Sequence, residues 1–218
     1  MAYWIHGSYV NGNILTAGSV NLELNKVEDL AFAVVENFIG SYAISDFDAA
    51  EAVPDSMVNS GTSVQIRSNS TTQDEGIQIP ESTVMINHNS CYEFGVRYRY
   101  FDSNARYIIG LHDIDNTPLN TFSQSTYFLQ AISGGNWTYN VNNGTGSLHT
   151  DNTSKPAANT WTTLKIIGSG NTAEFYVNNS LKTTATTNIP GSFVRPIFGL
   201  RVGSIDLDWW YIKAPVIP

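Results

Sequence analysis

Between Cys91 and Phe101 the chain reads CYEFGVRYRYF, with a large side chain at every second residue. Tyr92, Phe94, Val96, Tyr98 and Tyr100 therefore share one face of an extended strand, and Glu93, Arg97 and Arg99 share the other. A strand of this kind needs a second layer to cover its apolar face. It constrains the chain to layered β-structure more than any other segment does.

The same period recurs along the chain. SVQIR places Val64 and Ile66 together, and EGIQI does so with Ile77 and Ile79. Further short strands are expected in ARYIIGLHD, TYFLQAI, WTYNV, TWTTLKIIG, TAEFYVN, SLKTTAT, FVRPIFGLRV and IDLDWWYIK. The gaps between them are rich in Gly, Asn and Ser. GSGN at 168–171 reads as a tight hairpin between Trp161–Ile167 and Thr172–Val177, and Asn178-Asn179 as the next turn, because Gly and Asn tolerate positive φ. Charged residues are only 14%, and Thr and aromatics suit a pleated surface, so the composition agrees. Many short strands at this spacing predict an all-β antiparallel sandwich of the jelly-roll kind.

The N-terminal part reads differently. SVNLELN alternates, but NKVEDLAFAVVENF places Val27, Leu30, Val34 and Phe38 near one helical face, with Asn25 as an N-cap. A short helix or mixed segment is expected there, with a strand pair as the alternative. Residues 1–35 are read as an extension, 36–213 as the sandwich and 214–218 as a tail. The first residues carry no basic and apolar leader, and no apolar run approaches the roughly 20 residues that cross a bilayer. Synthesis in a cytoplasm, or export without a cleaved leader, is the expectation. The net charge of −8 disfavours nucleic acid and anionic lipid. Cys91 is the single cysteine, which excludes an intrachain disulfide. At the start of its strand it is expected to be a small buried hydrophobe.

At Trp161 the sequence becomes recognisable. NTWTTLKIIGSGNTAEFYVNNSLKTTAT resembles the middle strands of concanavalin A-like lectin/glucanase (laminin-G-like) jelly rolls. IDLDWWYI resembles their closing strand, and ENFIGSYAISDFD and GTSVQIRS are placed like the opening ones. The resemblance spans about residues 36–213. It implies an architecture that serves lectins, glycosidases, adhesins and viral surface proteins alike.

Three D-x-D pairs occur, Asp46/Asp48, Asp113/Asp115 and Asp206/Asp208. Residues two apart on a strand are about 6.6 Å apart, inside the roughly 6.5–9.5 Å window of an inverting glycosidase. Neighbours on one strand project in parallel, however, whereas catalytic carboxylates flank a bond from opposite sides. The E-x-D-x-x-E motif that the resemblance would imply for a glycosidase is absent, and the eight glutamates are scattered. No catalytic residue is assigned. Asp113 and Asp115 form the most loop-like calcium candidate, but calcium takes about six or more oxygens and no EF-hand pattern is present, so no cofactor is assigned. His6, His88, His112 and His149 stand alone in sequence.

Aromatics that could stack on sugar rings are Trp137, Tyr139, Trp161, Trp209 and Trp210. Trp137 and Trp210 are the candidate glycan contacts. Adjacent strand residues face opposite ways, and the reading places Leu207 and Trp209 inward, with Asp206, Asp208 and Trp210 on the other face. Apolar termini suggest contact with a partner, which makes Tyr3, Trp4, Ile5, Tyr9, Pro215 and Pro218 the candidate interface.

Jelly rolls of this resemblance recur on bacteriophage surfaces. The expectation is a non-enzymatic virion protein, most of all a capsid decoration (cement) protein, made in the host cytoplasm and carried on the virion surface. It would contact capsid or other virion proteins, as a homo-oligomer. A carbohydrate-binding lectin or adhesin module, such as a tail-fibre or receptor-binding head, is the alternative, and a glycoside hydrolase the second alternative.

Overall fold

The alternating segments pair into two antiparallel sheets. The computed structural model describes residues 32–37, 48–49, 52–59, 63–79, 86–102, 105–113, 124–130, 137–144, 147–150, 156–191 and 193–214. Among these residues all regular structure is strand. No described helix is long and apolar enough to cross a membrane.

The first sheet runs in the order β14 (Ser180–Ala185), β13 (Ala173–Val177), β12 (Thr162–Ser169), β7 (Cys91–Tyr100), β16 (Gly203–Ala214), β4 (Val64–Ser68) and β3 (Ser56–Asn59). β1 (Phe32–Asn37) pairs with the second half of β16, beyond the part that pairs with β4. The second sheet runs β11 (Ser147–Thr150), β10 (Trp137–Asn142), β9 (Ser125–Gln130), β8 (Arg106–His112), β15 (Phe193–Arg201), β5 (Glu75–Gln78) and β2 (Asp48–Ala49), with β6 (Ile86–Asn87) also against β15. Two sheets with one shared core form the expected jelly-roll sandwich.

The alternation read from CYEFGVRYRYF is the alternation of burial. Tyr92, Phe94, Val96, Tyr98 and Tyr100 are all buried against the second sheet, as are Val64, Ile66, Ile77 and Ile79. Each such side chain contributes roughly 1.5–3 kcal/mol on leaving water. β12 shows the same period, its inward Leu164 and Ile166 alternating with the half-exposed Thr163 and Lys165. β8 and β15 behave differently, being buried on both faces. On the second face of their sheet Ile108, Tyr127 and Ile197 form a small separate cluster with Leu129.

The turns carry the expected chemistry. Gly170 has φ 76° in the GSGN hairpin, where the Ser169 N–H donates to the Thr172 carbonyl at 3.1 Å. Asn178 and Asn179 have φ 48° and 62° between β13 and β14, the left-handed pair that a two-residue hairpin requires. Between β15 and β16 the chain passes from one sheet to the other through Val202 (φ 59°) and Gly203 (φ 105°).

Two local expectations are corrected. Residues 32–37 form a strand and not the end of a helix; Phe32, Val34 and Val35 favour a pleat, and the free edge of β16 supplies the backbone partners. Residues 25–31 lie outside the described residues. Cys91 is exposed, because it falls in the outward phase at the very end of β7.

Candidate functional site

The stretch IDLDWWYI is strand β16, and its register contains one irregularity. Leu207 pairs with Tyr98 and Trp209 with Arg97, which leaves Asp208 as an extra residue in a β-bulge. One extra residue reverses the phase of everything after it. Ile205 and Leu207 point into the core before the bulge, and Trp210 and Ile212 after it. Trp209 consequently lies on the outer face with Tyr211 and Lys213. Leu207 is inward as expected, but the assignment of the two tryptophans is reversed. The apolar parity changes from odd (Ile205, Leu207) to even (Ile212), but the adjacent Trp209 and Trp210 fit either phase, so the sequence does not place the break between them.

The outer face of the first sheet gathers the charged residues. Arg99 is the Cα partner of Asp206, which is in turn the partner of Gln65 on β4. The Asp206 carboxylate, 4% exposed, accepts from Arg99 Nη2 at 2.7 Å and from Gln65 Nε2 at 2.9 Å. Asp208 accepts from Arg97 Nη1 at 2.5 Å. Both guanidiniums lie over the Trp161 ring, with Cζ at 4.9 Å for Arg97 and 4.7 Å for Arg99, and Arg99 also lies over Phe101 at 5.1 Å. Further along, Trp209 stacks on Tyr211, with centroids 5.6 Å apart and planes at 27°. The Tyr211 hydroxyl donates to Glu93, and Lys213 Nζ lies 4.9 Å from the Tyr211 ring. Gly95 makes room for that ring, since a Cβ there would come within 2.4 Å of Tyr211 Cε1. Arg97 and Arg99 thus pair with acids of the same sheet face.

The second sheet carries a buried polar layer on the face away from the core. Asp74, with no exposed surface, sits between Arg201 (Nε–Oδ1 2.9 Å) and Arg106 (Nη2–Oδ2 3.3 Å), which are Cα partners across β15 and β8. Arg195, 1% exposed, reaches Asp48 at 2.7 Å and the Ile79 carbonyl at 3.2 Å. Its cross-strand partner is His112, whose pKa is pushed down to about 3 by burial and by the Arg195 charge. His88 is buried, with Nε2 at 2.7 Å from Thr126 Oγ1 and 2.6 Å from the Tyr92 hydroxyl; burial lowers its pKa to about 4. Nothing in the sequence spacing announced the Asp74 or the Arg195 cluster, because each joins side chains more than 30 positions apart.

The candidate glycan contacts Trp137 and Trp210 both lie in the core and expose no ring face. Trp137 is 3% exposed and packs edge-on against Phe128 at 5.7 Å; Trp210 is 1% exposed. Trp137 sits in the inward phase of β10, and the bulge places Trp210 inward. Tyr139 is in the core as well. Among the described residues, Trp161 and Trp209 are the tryptophans left on a surface. Tyr3, Trp4, Ile5, Tyr9, Pro215 and Pro218, along with Asp46 and Asp115, lie outside the described residues. Asp48 is tied to Arg195, and the Asp113 N–H donates to the Gln124 carbonyl at 3.0 Å. Among the described residues no three His, Cys, Asp or Glu side chains gather as a metal site would require.

No protein-family model matches the chain, and no curated protein sequence does. Solved structures do. The carbohydrate recognition domain of Emp47p superposes with a TM-score of 0.63 at 9% identity, over 87% of this chain and 99% of that one. The Bacillus licheniformis β-glucanase gives 0.58 at 14% identity, over 85% and 98%. The carbohydrate-binding module CBM66 from Bacillus subtilis gives 0.50 at 14% identity, over 80% and 91%. The chain has the concanavalin A-like jelly-roll fold, as the resemblance implied; identities this low establish the architecture and leave its use open.

Proposed function

We propose that this jelly roll is a non-enzymatic structural protein, a decoration (cement) protein on the surface of a bacteriophage capsid. The observation that carries the reading is the commitment of the chemically capable groups to the fold. Asp206 and Asp208 are each held by an arginine on one face of one sheet. Trp137 and Trp210, the rings a glycan platform would use first, fill the core. What remains is a doubly paired sandwich with an acidic surface, suited to bear load. Docking would run through the terminal segments that carry Tyr3, Trp4, Ile5, Tyr9, Pro215 and Pro218, together with a sheet edge. The edge strand β3 presents Val58 at 54% exposure, and Val53, shortly before it in the chain, is exposed to the same extent. Apolar burial across neighbouring capsid subunits, repeated by symmetry in an oligomer, would oppose their separation.

The test is co-sedimentation of the purified chain with capsid shells, together with the temperature at which the shells come apart. Bound protein and a raised disassembly temperature are expected. A protein that stays monomeric and leaves the shells untouched would overturn the reading.

The alternative reading is a carbohydrate-binding module. It is favoured by the half-exposed Trp209–Tyr211 stack beside two Arg–Asp pairs, and by the likeness in fold to the carbohydrate recognition domain of Emp47p and the carbohydrate-binding module CBM66. Hydrolysis of a polysaccharide, lost on Asp208→Asn, would point instead to the glycoside hydrolase.

A further inference from the structure

We propose that the outer face of the first sheet, centred on Trp209, Tyr211 and Arg97, binds an uncharged pyranose polysaccharide. This rests on the carbohydrate-binding alternative, and gives it a site other than Trp137 and Trp210.

Charge is the first argument. The protein as a whole carries −8, yet the outward charges on β7, β12, β13 and β16 cancel. Arg97, Arg99, Lys165 and Lys213 balance Asp206, Asp208, Glu93 and Glu174. A neutral strip on an acidic molecule neither attracts nor repels a polyanion strongly, and suits an uncharged chain.

Chemistry is the second. A sugar hydroxyl both donates and accepts, so its recognition needs N–H groups and carboxylate oxygens side by side. The Arg97–Asp208 pair offers both, with 40% and 22% of the side chains exposed. Trp161 beneath the two guanidiniums holds them in place, which limits the side-chain entropy lost on binding.

Geometry is the third. Arg97 is the Cα partner of Trp209, so the polar pair and the aromatic stack adjoin across β7 and β16. The Trp209 and Tyr211 rings are nearly parallel and half-exposed, and Gly95 lets Tyr211 settle onto the sheet. Flat rings of this kind accept the C–H face of a pyranose, while the adjacent ion pair takes its equatorial hydroxyls. The bulge at Asp208 builds the site: it turns Trp209 outward and brings its own carboxylate to Arg97.

The experiment is affinity electrophoresis of the full chain through gels cast with mixed-linkage β-glucan, mannan or dextran, with thermal melting of every variant. Retardation by at least one polysaccharide is expected. Trp209→Ala should weaken it by about tenfold or more, Trp209→Phe should restore most of it, and Arg97→Met should weaken it while leaving the stack intact. Leu181→Ser, on the far edge strand β14, should change nothing. Retardation that survives both Trp209→Ala and Arg97→Met in melting-competent protein overturns this site and leaves the carbohydrate reading standing. No retardation in any gel overturns both. Loss of capsid-shell binding by Trp209→Ala, without any polysaccharide affinity, assigns the face to a protein partner and overturns the proposal.

Discussion

Arg99 and Asp206 lie directly opposite each other across β7 and β16, and their side chains meet at 2.7 Å above the Trp161 ring. Asp206 is 4% exposed there and also accepts from Gln65, whereas Asp208, in the bulge, is 22% exposed and is held by Arg97. Two aspartates two residues apart thus play unequal parts. Asp206→Asn is expected to lower unfolding stability by about 1–3 kcal/mol, because it leaves Arg99 without its charge partner in a half-buried place. Asp208→Asn is expected to cost less than about 1 kcal/mol. Urea denaturation of the two variants checks the order.

Gly168 and Tyr92 form a second fixed pair. They are Cα partners across β12 and β7, and a Cβ on Gly168 would fall inside the Tyr92 ring, 1.9 Å from Cε1. The ring cannot swing aside, because its hydroxyl is bonded to buried His88. Gly168→Ala is expected to destabilise by roughly 1–3 kcal/mol through overpacking. A Gly168→Ala, Tyr92→Leu double variant should recover part of the loss, which denaturant titration of both would measure.

Acid should weaken the fold before the carboxylates titrate. His88 and His112 have folded-state pKa values depressed to about 4 and about 3 against 6.5 in the unfolded chain. The unfolded state therefore binds protons first as pH falls. The stability these neutral imidazoles contribute is complete above pH 6.5 and is lost below it, down towards pH 4 for His88 and pH 3 for His112. The expected slope is about 1.4 kcal/mol per pH unit for each histidine. Denaturation midpoints between pH 7 and pH 4.5 check it, and His112→Asn should roughly halve the slope.

Val202 has φ 59° at the corner between β15 and β16, a conformation that costs a β-branched residue about 1–2 kcal/mol. Val202→Asn is expected to raise the melting temperature, by about 1 kcal/mol of stability, since Asn accepts the left-handed region and adds no glycine-like freedom to the unfolded chain. A melting temperature that stays level or falls would contradict this.

Cys91 is exposed at the end of β7. A thiol reagent such as Ellman's should therefore titrate one thiol per chain in native buffer, at a rate that denaturant raises little.

The period-two face of β7 was legible from CYEFGVRYRYF because a strand exposes its phase in the order of its residues. The GSGN and Asn178-Asn179 turns were legible because positive φ has few takers. IDLDWWYI was legible as a closing strand, but not which tryptophan it buries. Nor was the strand at 32–37, whose apolar residues fit a helix face or a pleat equally well until β16 offered them an edge. Cys91 was misjudged by one step of phase at a strand end.

By itself the sequence determined the class of fold, through alternation and turn chemistry that act between near neighbours. Tertiary structure alone decided the allocation of the outer face. The bulge at Asp208 forms where β16 meets β7, and a single extra residue there sends Trp210 to the core and Trp209 to the surface. The Arg106–Asp74–Arg201 and Asp48–Arg195 clusters belong to the same class of fact. Their partners meet only when strands distant in sequence are laid side by side, and no local propensity encodes that meeting.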